Sequence, residues 1–179
     1  MADWLNAAYD EETLKQAARS FALSGKLQLI SFLSEKGLQQ FNGMKFIRAY
    51  VPVMYSYHLA NAPRFAFSEE FRKIMCRLVG SEVKVSDLAV IRHQHGDYSL
   101  LYDMLKPGRH TIFMLDIAEM KEEWGAWTSF LKGNEEVFRV VPKRNALTLV
   151  NQKGLRCFTK YVNHNAKNPR TFLYGVLHK

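Results

Sequence analysis

The chain has 179 residues, 47% apolar and 23% charged, which suits one globular domain able to bury its own core. Ten Gly, five Pro, two Cys and 13% aromatic residues exclude collagen-like, disulfide-scaffold and disordered chains. The net charge is +8, no apolar run approaches the roughly 18 residues of a membrane span, and the acidic start Met1-Ala2-Asp3-Trp4 has no basic n-region of a secretory signal.

Asp10 is placed to cap a helix over residues 11–23, with Glu11 and Glu12 in its first turn. Leu14, Ala17, Ala18 and Phe21 fall on one face at helical spacing, and Gly25 ends the element. Residues 27–32 read as a short apolar strand, and Ser34 with Glu35 starts a short helix. Residues 44–58 are aromatic and β-branched but interrupted by Pro52, as an edge strand or two short pieces would be. Ser68 caps a third helix that opens with Glu69 and Glu70, has Arg77 near its end and Gly80 beyond it.

From about residue 83 the pattern changes to eight short strands: 85–93, 98–103, 109–117, 126–131, 136–141, 146–150, 156–162 and 171–177. Turn signals such as His95-Gly96-Asp97 and Lys106-Pro107-Gly108 separate them, which predicts a sandwich or barrel. Helices first and strands later predict an α+β domain over residues 1–179, with 1–80 a mostly helical support and 83–179 the strand core.

Charge is unevenly spread. Residues 140–179 carry eight Lys and Arg and no Asp or Glu, while the other seventeen cations balance all seventeen acids. A segment of one sign favours nucleic acid, the ribosome or an acidic protein surface as partner; the other reading is that it packs against acidic elements. Alternation along a strand puts Arg156, Phe158 and Lys160 on one face, two cations and an aromatic suited to an anion or a stacked base. Cys76 and Cys157 lack a nearby Cys and read as small buried hydrophobes in a reducing, cytoplasmic setting. No Gly-rich phosphate loop occurs.

Five phrases of the strand half, in order, resemble the iron(II)- and 2-oxoglutarate-dependent oxygenases of the prolyl-hydroxylase type. They are Ile91 to Tyr98 with its Gly96-Asp97-Tyr98 turn, Arg109 to Asp116, Glu123 to Trp127, Val141 to Val150, and Arg170 to Leu177. The resemblance covers most of the chain. It implies a double-stranded β-helix, a jelly roll with supporting N-terminal helices. It also implies 2-oxoglutarate as cosubstrate, with Arg170 as the basic residue for its far carboxylate, and an Fe(II) held by His-x-Asp and a distal His.

At the family's ligand positions this sequence has Tyr102, Met104 and, for the distal His, Thr159 or Lys160, with Asp103 one residue out of register. A literal His-x-Asp with a downstream His exists instead in His95, Asp97 and His164; the plainer reading of His93, His95 and His164 is water-exposed turns and strand ends. Two functions stay open. One is an oxygenase-like binding module without a complete iron site, for nucleic acid, ribosome or a protein partner. The other is an active dioxygenase that hydroxylates a protein side chain, with Fe(II) held by the alternative triad.

Overall fold

A computed structural model describes residues 2–51, 55–100 and 110–179. Among these residues three α-helices precede or interleave with ten strands: α1 Glu11–Ser24, β1 Lys26–Ile30, α2 Glu35–Gln39, β2 Ile47–Val51, β3 Tyr55–Ala60, α3 Glu69–Val79, β4 Lys84–His93, β5 Thr111–Asp116, β6 Thr128–Lys132, β7 Glu135–Val140, β8 Ala146–Asn151, β9 Arg156–Thr159 and β10 Arg170–His178. Local chemistry sets the helix ends. Asp10 accepts a hydrogen bond from the Thr13 amide, and Gly25, at φ 68°, closes α1 by donating to the Phe21 carbonyl. Ser68 caps α3 through the Phe71 amide, and Gly80 ends it at φ 72°.

The strands form two antiparallel sheets. The larger runs β1-β8-β5-β10-β4-β3-β2 and the smaller β7-β6-β9. The first eighty residues therefore supply three strands of the larger sheet as well as the helices. Alternation along β5 and β10 divides the interior in two. Phe113, Leu115, Leu173 and Leu177 face the helices, where Leu14 and Phe21 of α1 and Phe71, Met75 and Leu78 of α3 are buried against them. Burial of each such side chain contributes about 1.5–3 kcal/mol. Ile112, Met114, Phe172, Tyr174 and Val176 face the smaller sheet, which answers with Phe130, Val140 and Cys157. Gly175 is required by close packing: a Cβ there would meet the Phe113 ring at 2.5 Å.

Several element bounds differ from the sequence reading. β1 ends at Ile30 because Ser31 takes the left-handed region at φ 56°. β6 begins at Thr128, since Gly125 and Ala126 both have positive φ. β9 stops at Thr159, so Lys160 lies beyond its strand. Pro52 and residues 101–103 of the expected 98–103 strand lie outside the described residues; Tyr98 bridges Ser56, and the Ser99 amide donates to the Thr159 carbonyl. Among the described residues no helix is long and apolar enough to cross a membrane.

Candidate functional site

Arg170 opens β10 on the face turned toward the smaller sheet and is fully buried. Its guanidinium has five N–H donors in a fixed fork. Nε donates to Asp116 Oδ1 at 2.8 Å, and Nη2 to Asp116 Oδ2 at 3.3 Å and Met114 Sδ at 3.8 Å. Nη1 donates to the Ala126 carbonyl at 2.8 Å and to Thr128 Oγ1 at 2.7 Å. The cation also lies 4.3 Å from the centre of the Phe172 ring. Every donor thus has an acceptor within the chain, and the contacts tie the larger sheet to the smaller one. Burial raises the Asp116 carboxyl above the usual carboxylate range, and the adjacent Arg170 charge opposes that rise.

The backbone around Ala126 is shaped for this contact. Its φ of 62° turns its carbonyl to Arg170 while its amide donates to Lys160. Gly125 before it, at φ 76°, cannot carry a Cβ, which would run into the Tyr161 carbonyl.

Beside Arg170, its register partner across β4 is His93. The expected exposure of His93 is corrected: the residue is fully buried, because it stands on the inward face of β4 rather than at a free strand end. Its ring stacks on Phe172 at 5.8 Å and meets Tyr57 edge-on at 6.0 Å. Among the described residues neither ring nitrogen has a hydrogen-bond partner. Burial, helped by the Arg170 charge, pushes the His93 pKa down to about 3.

Asp97 is buried in the turn after β4, with both oxygens committed. Oδ1 accepts from Ser56 Oγ at 2.6 Å; Oδ2 accepts from the Gln94 amide at 2.8 Å and meets His58 Nδ1 at 3.2 Å. His95 is exposed, 3.3 Å through Nε2 from the Tyr161 hydroxyl, and His164 lies exposed in the loop before β10. Among the described residues no three His, Cys, Asp or Glu side chains are grouped to hold a metal, so His95, Asp97 and His164 do not converge. Of the family's ligand positions, Tyr102 and Met104 lie outside the described residues. Thr159 is buried, its amide donating to Ser99 Oγ at 2.9 Å and its hydroxyl 3.5 Å from that of Thr128.

The anion-binding candidates lie on the outer side of the smaller sheet. Arg156 donates to the Gly133 carbonyl and to Asn134 Oδ1 at 3.3 Å, in the β6–β7 hairpin. Phe158 pairs with Ser129, is half-buried, and lies between Arg156 and the exposed Lys160 along the chain. Trp127 donates to Ser129 Oγ at 3.1 Å and carries Arg139 over its ring at 5.0 Å. Arg139 also pairs with Glu122 and Glu136. Of the eight cations in the acid-free segment, Arg170 is the one removed from the surface.

The sequence reading missed Asp116 and the inward His93. The signal for Asp116 was an acid closing the otherwise apolar run Ile112 to Leu115 of β5. A 2-oxoglutarate carboxylate would find no open donor at Arg170, because Asp116 already forms the bidentate pair such a ligand would make. The residues present do not fit the cosubstrate at that position.

No family model and no curated protein matches the chain. Solved structures do. A 2OG-Fe(II) oxygenase family oxidoreductase of Burkholderia pseudomallei superposes with a TM-score of 0.67 at 11% identity, over 94% of this chain and 92% of that one. A Pseudomonas putida prolyl-4-hydroxylase gives 0.67 at 10%, over 93% and 98%. A Trichoplax adhaerens prolyl hydroxylase, solved with a hypoxia inducible factor peptide fragment, gives 0.68 at 12%, over 98% and 95%. The chain therefore has the double-stranded β-helix fold of the 2-oxoglutarate oxygenases and prolyl hydroxylases, with helices packed on its larger sheet.

Proposed function

We propose that this chain is an oxygenase-fold domain that works by binding rather than by oxygenation, and that its partner is a single-stranded nucleic acid on the outer face of the smaller sheet. The observation that carries the reading is the saturation of Arg170 by Asp116, Ala126, Thr128 and Met114. Sequence adds to it: Tyr102, Met104 and Thr159 stand where the resembled family has His, Asp and His. The choice of partner is supported by the acid-free C-terminal segment, whose cations other than Arg170 are at least partly exposed, and by the half-buried Phe158 between Arg156 and Lys160 along the chain. Aromatic faces next to cations hold unpaired bases by stacking and phosphates by charge.

The second reading, an Fe(II)- and 2-oxoglutarate-dependent dioxygenase acting on a protein side chain, draws on the fold likeness to prolyl hydroxylases. One pair of experiments separates them. Calorimetric titration with Mn(II) and 2-oxoglutarate should give no stoichiometric binding, and Fe(II) with 2-oxoglutarate no succinate. Fluorescence anisotropy with labelled oligouridylate should give binding that weakens steeply with salt. Micromolar binding of Mn(II) and 2-oxoglutarate together, lost in His95→Ala, would establish the dioxygenase reading instead.

A further inference from the structure

A second site lies on the flank of the jelly roll, where an edge of each sheet is left open. β1 ends the larger sheet and β7 ends the smaller, and these two edges are not hydrogen-bonded to each other. Between them the sandwich opens into a cleft of about 540 Å³. It lies three strands from Arg170 in the larger sheet, and none of the residues around that guanidinium lines it.

The cleft has a definite chemistry. By the register of β1 on β8, Lys26 and Gln28 stand on the same sheet face as Thr148 and Val150, the face turned toward the smaller sheet. Phe138 and Val140 of β7 form the opposing apolar wall. Lys26 Nζ stands 4.7 Å over the centre of the Phe138 ring, and the exposed Lys143 lines the rim. Among the described residues neither lysine has a carboxylate partner and no Asp or Glu lines the cleft. Thr148 is buried and takes the Gln28 side-chain amide at 3.3 Å, so a polar pair sits on the wall of the larger sheet. The third cation, Arg139, is engaged by Glu122 and Glu136 and leaves anion capture to the lysines.

We propose that this flank cleft is a binding site for a small amphipathic carboxylate, its apolar body against Phe138 and Val140 and its head group between Lys26 and Lys143. The volume falls within the roughly 300–1,000 Å³ of small-molecule sites, and an apolar wall with a few convergent polar groups is their usual make-up. An ammonium held over an aromatic face, with no counter-charge beside it, favours an incoming anion. An added peptide strand fits less well. The edge of β1 turned away from β8 is already capped: Ser24 Oγ donates to the Lys26 carbonyl at 2.5 Å, and the Tyr9 hydroxyl to the Ile30 carbonyl at 2.5 Å. Those bonds take two acceptors that strand addition would need.

The test uses the intact chain, ¹⁵N-labelled, with octanoate as probe and octan-1-ol and acetate as controls. Octanoate should give saturable amide shifts centred on Lys26, Gln28, Thr148 and Phe138. Octan-1-ol should bind at least tenfold more weakly, and acetate should give no saturable shift. Lys26→Gln with Lys143→Gln, both exposed positions, should fold as the parent and weaken octanoate about tenfold. Absence of saturable shifts in the cleft, equal binding of the alcohol, or an unaffected double variant would overturn the proposal. So would an acidic peptide that shifts the β1 edge amides where octanoate does not.

Discussion

Removal of the Asp116 carboxylate tests the internal saturation of Arg170. In Asp116→Ala the guanidinium loses the acceptors at 2.8 Å and 3.3 Å and keeps only the Ala126 carbonyl, the Thr128 hydroxyl and the Met114 sulfur. Arginine cannot shed its proton to escape. A fully buried charge without a counter-ion costs about 3–5 kcal/mol, a large fraction of the roughly 5–15 kcal/mol that holds a domain together. For a chain of this length each kcal/mol moves Tm by about 2–4 °C, so thermal unfolding should fall by roughly 6–20 °C. Two companions sharpen the experiment. Asp116→Leu with Arg170→Met removes both charges together and should recover part of the loss, the remainder being the Ala126 carbonyl and Thr128 hydroxyl that lose their donor. Formate should restore the single variant by occupying the vacated position, by about 1.4 kcal/mol at tenfold excess over its Kd. Differential scanning calorimetry at fixed protein concentration reads all three. A loss below about 1 kcal/mol would refute the reasoning, as would 2-oxoglutarate stabilising the parent as strongly as formate stabilises the variant, because either result means Asp116 is not the partner that Arg170 depends on.

His93 stays neutral in the folded chain down to about pH 3, whereas in the unfolded chain it takes a proton near its ordinary value. Its contribution is therefore complete above about pH 6.5 and is lost as the pH falls, leaving the fold about 2 kcal/mol weaker at pH 5 than at pH 7.5. Urea unfolding of His93→Phe should lack that acid-side loss and be no less stable than the parent at pH 7.5; an unchanged pH profile would mean the ring is partnered in solution. Arg156→Glu with Lys160→Glu should weaken oligouridylate binding at least tenfold and lower its salt slope, with Tm within a few degrees; anisotropy that is flat across salt would remove the nucleic-acid reading. Gly125→Ala should lower Tm by several degrees, because its Cβ meets the Tyr161 carbonyl and its φ of 76° disfavours any side chain.

Much of the fold was legible in the sequence because its determinants are local. Asp10 with Gly25 and Ser68 with Gly80 bracket helices through bonds that span three or four residues, so pattern alone placed α1 and α3. The double-stranded β-helix was implied by phrases resembling a known family, whose turn residues and apolar alternation are local features. Boundaries slipped where a single backbone angle, as at Ser31 or Ala126, ended pairing that propensity would have continued. The site was legible only as residue types. Arg170 was visible as a cation at the head of the last strand, but its partner Asp116 lies 54 positions earlier and reaches it only when β5 and β10 pair. His93 looked like the end of a strand until the register set it beside Arg170 and under Phe172. The flank cleft has no sequence signature at all. Lys26 and Phe138 are joined by the failure of two sheet edges to meet, and sequence patterns report what an element does along its own length, not where two elements stop short of each other.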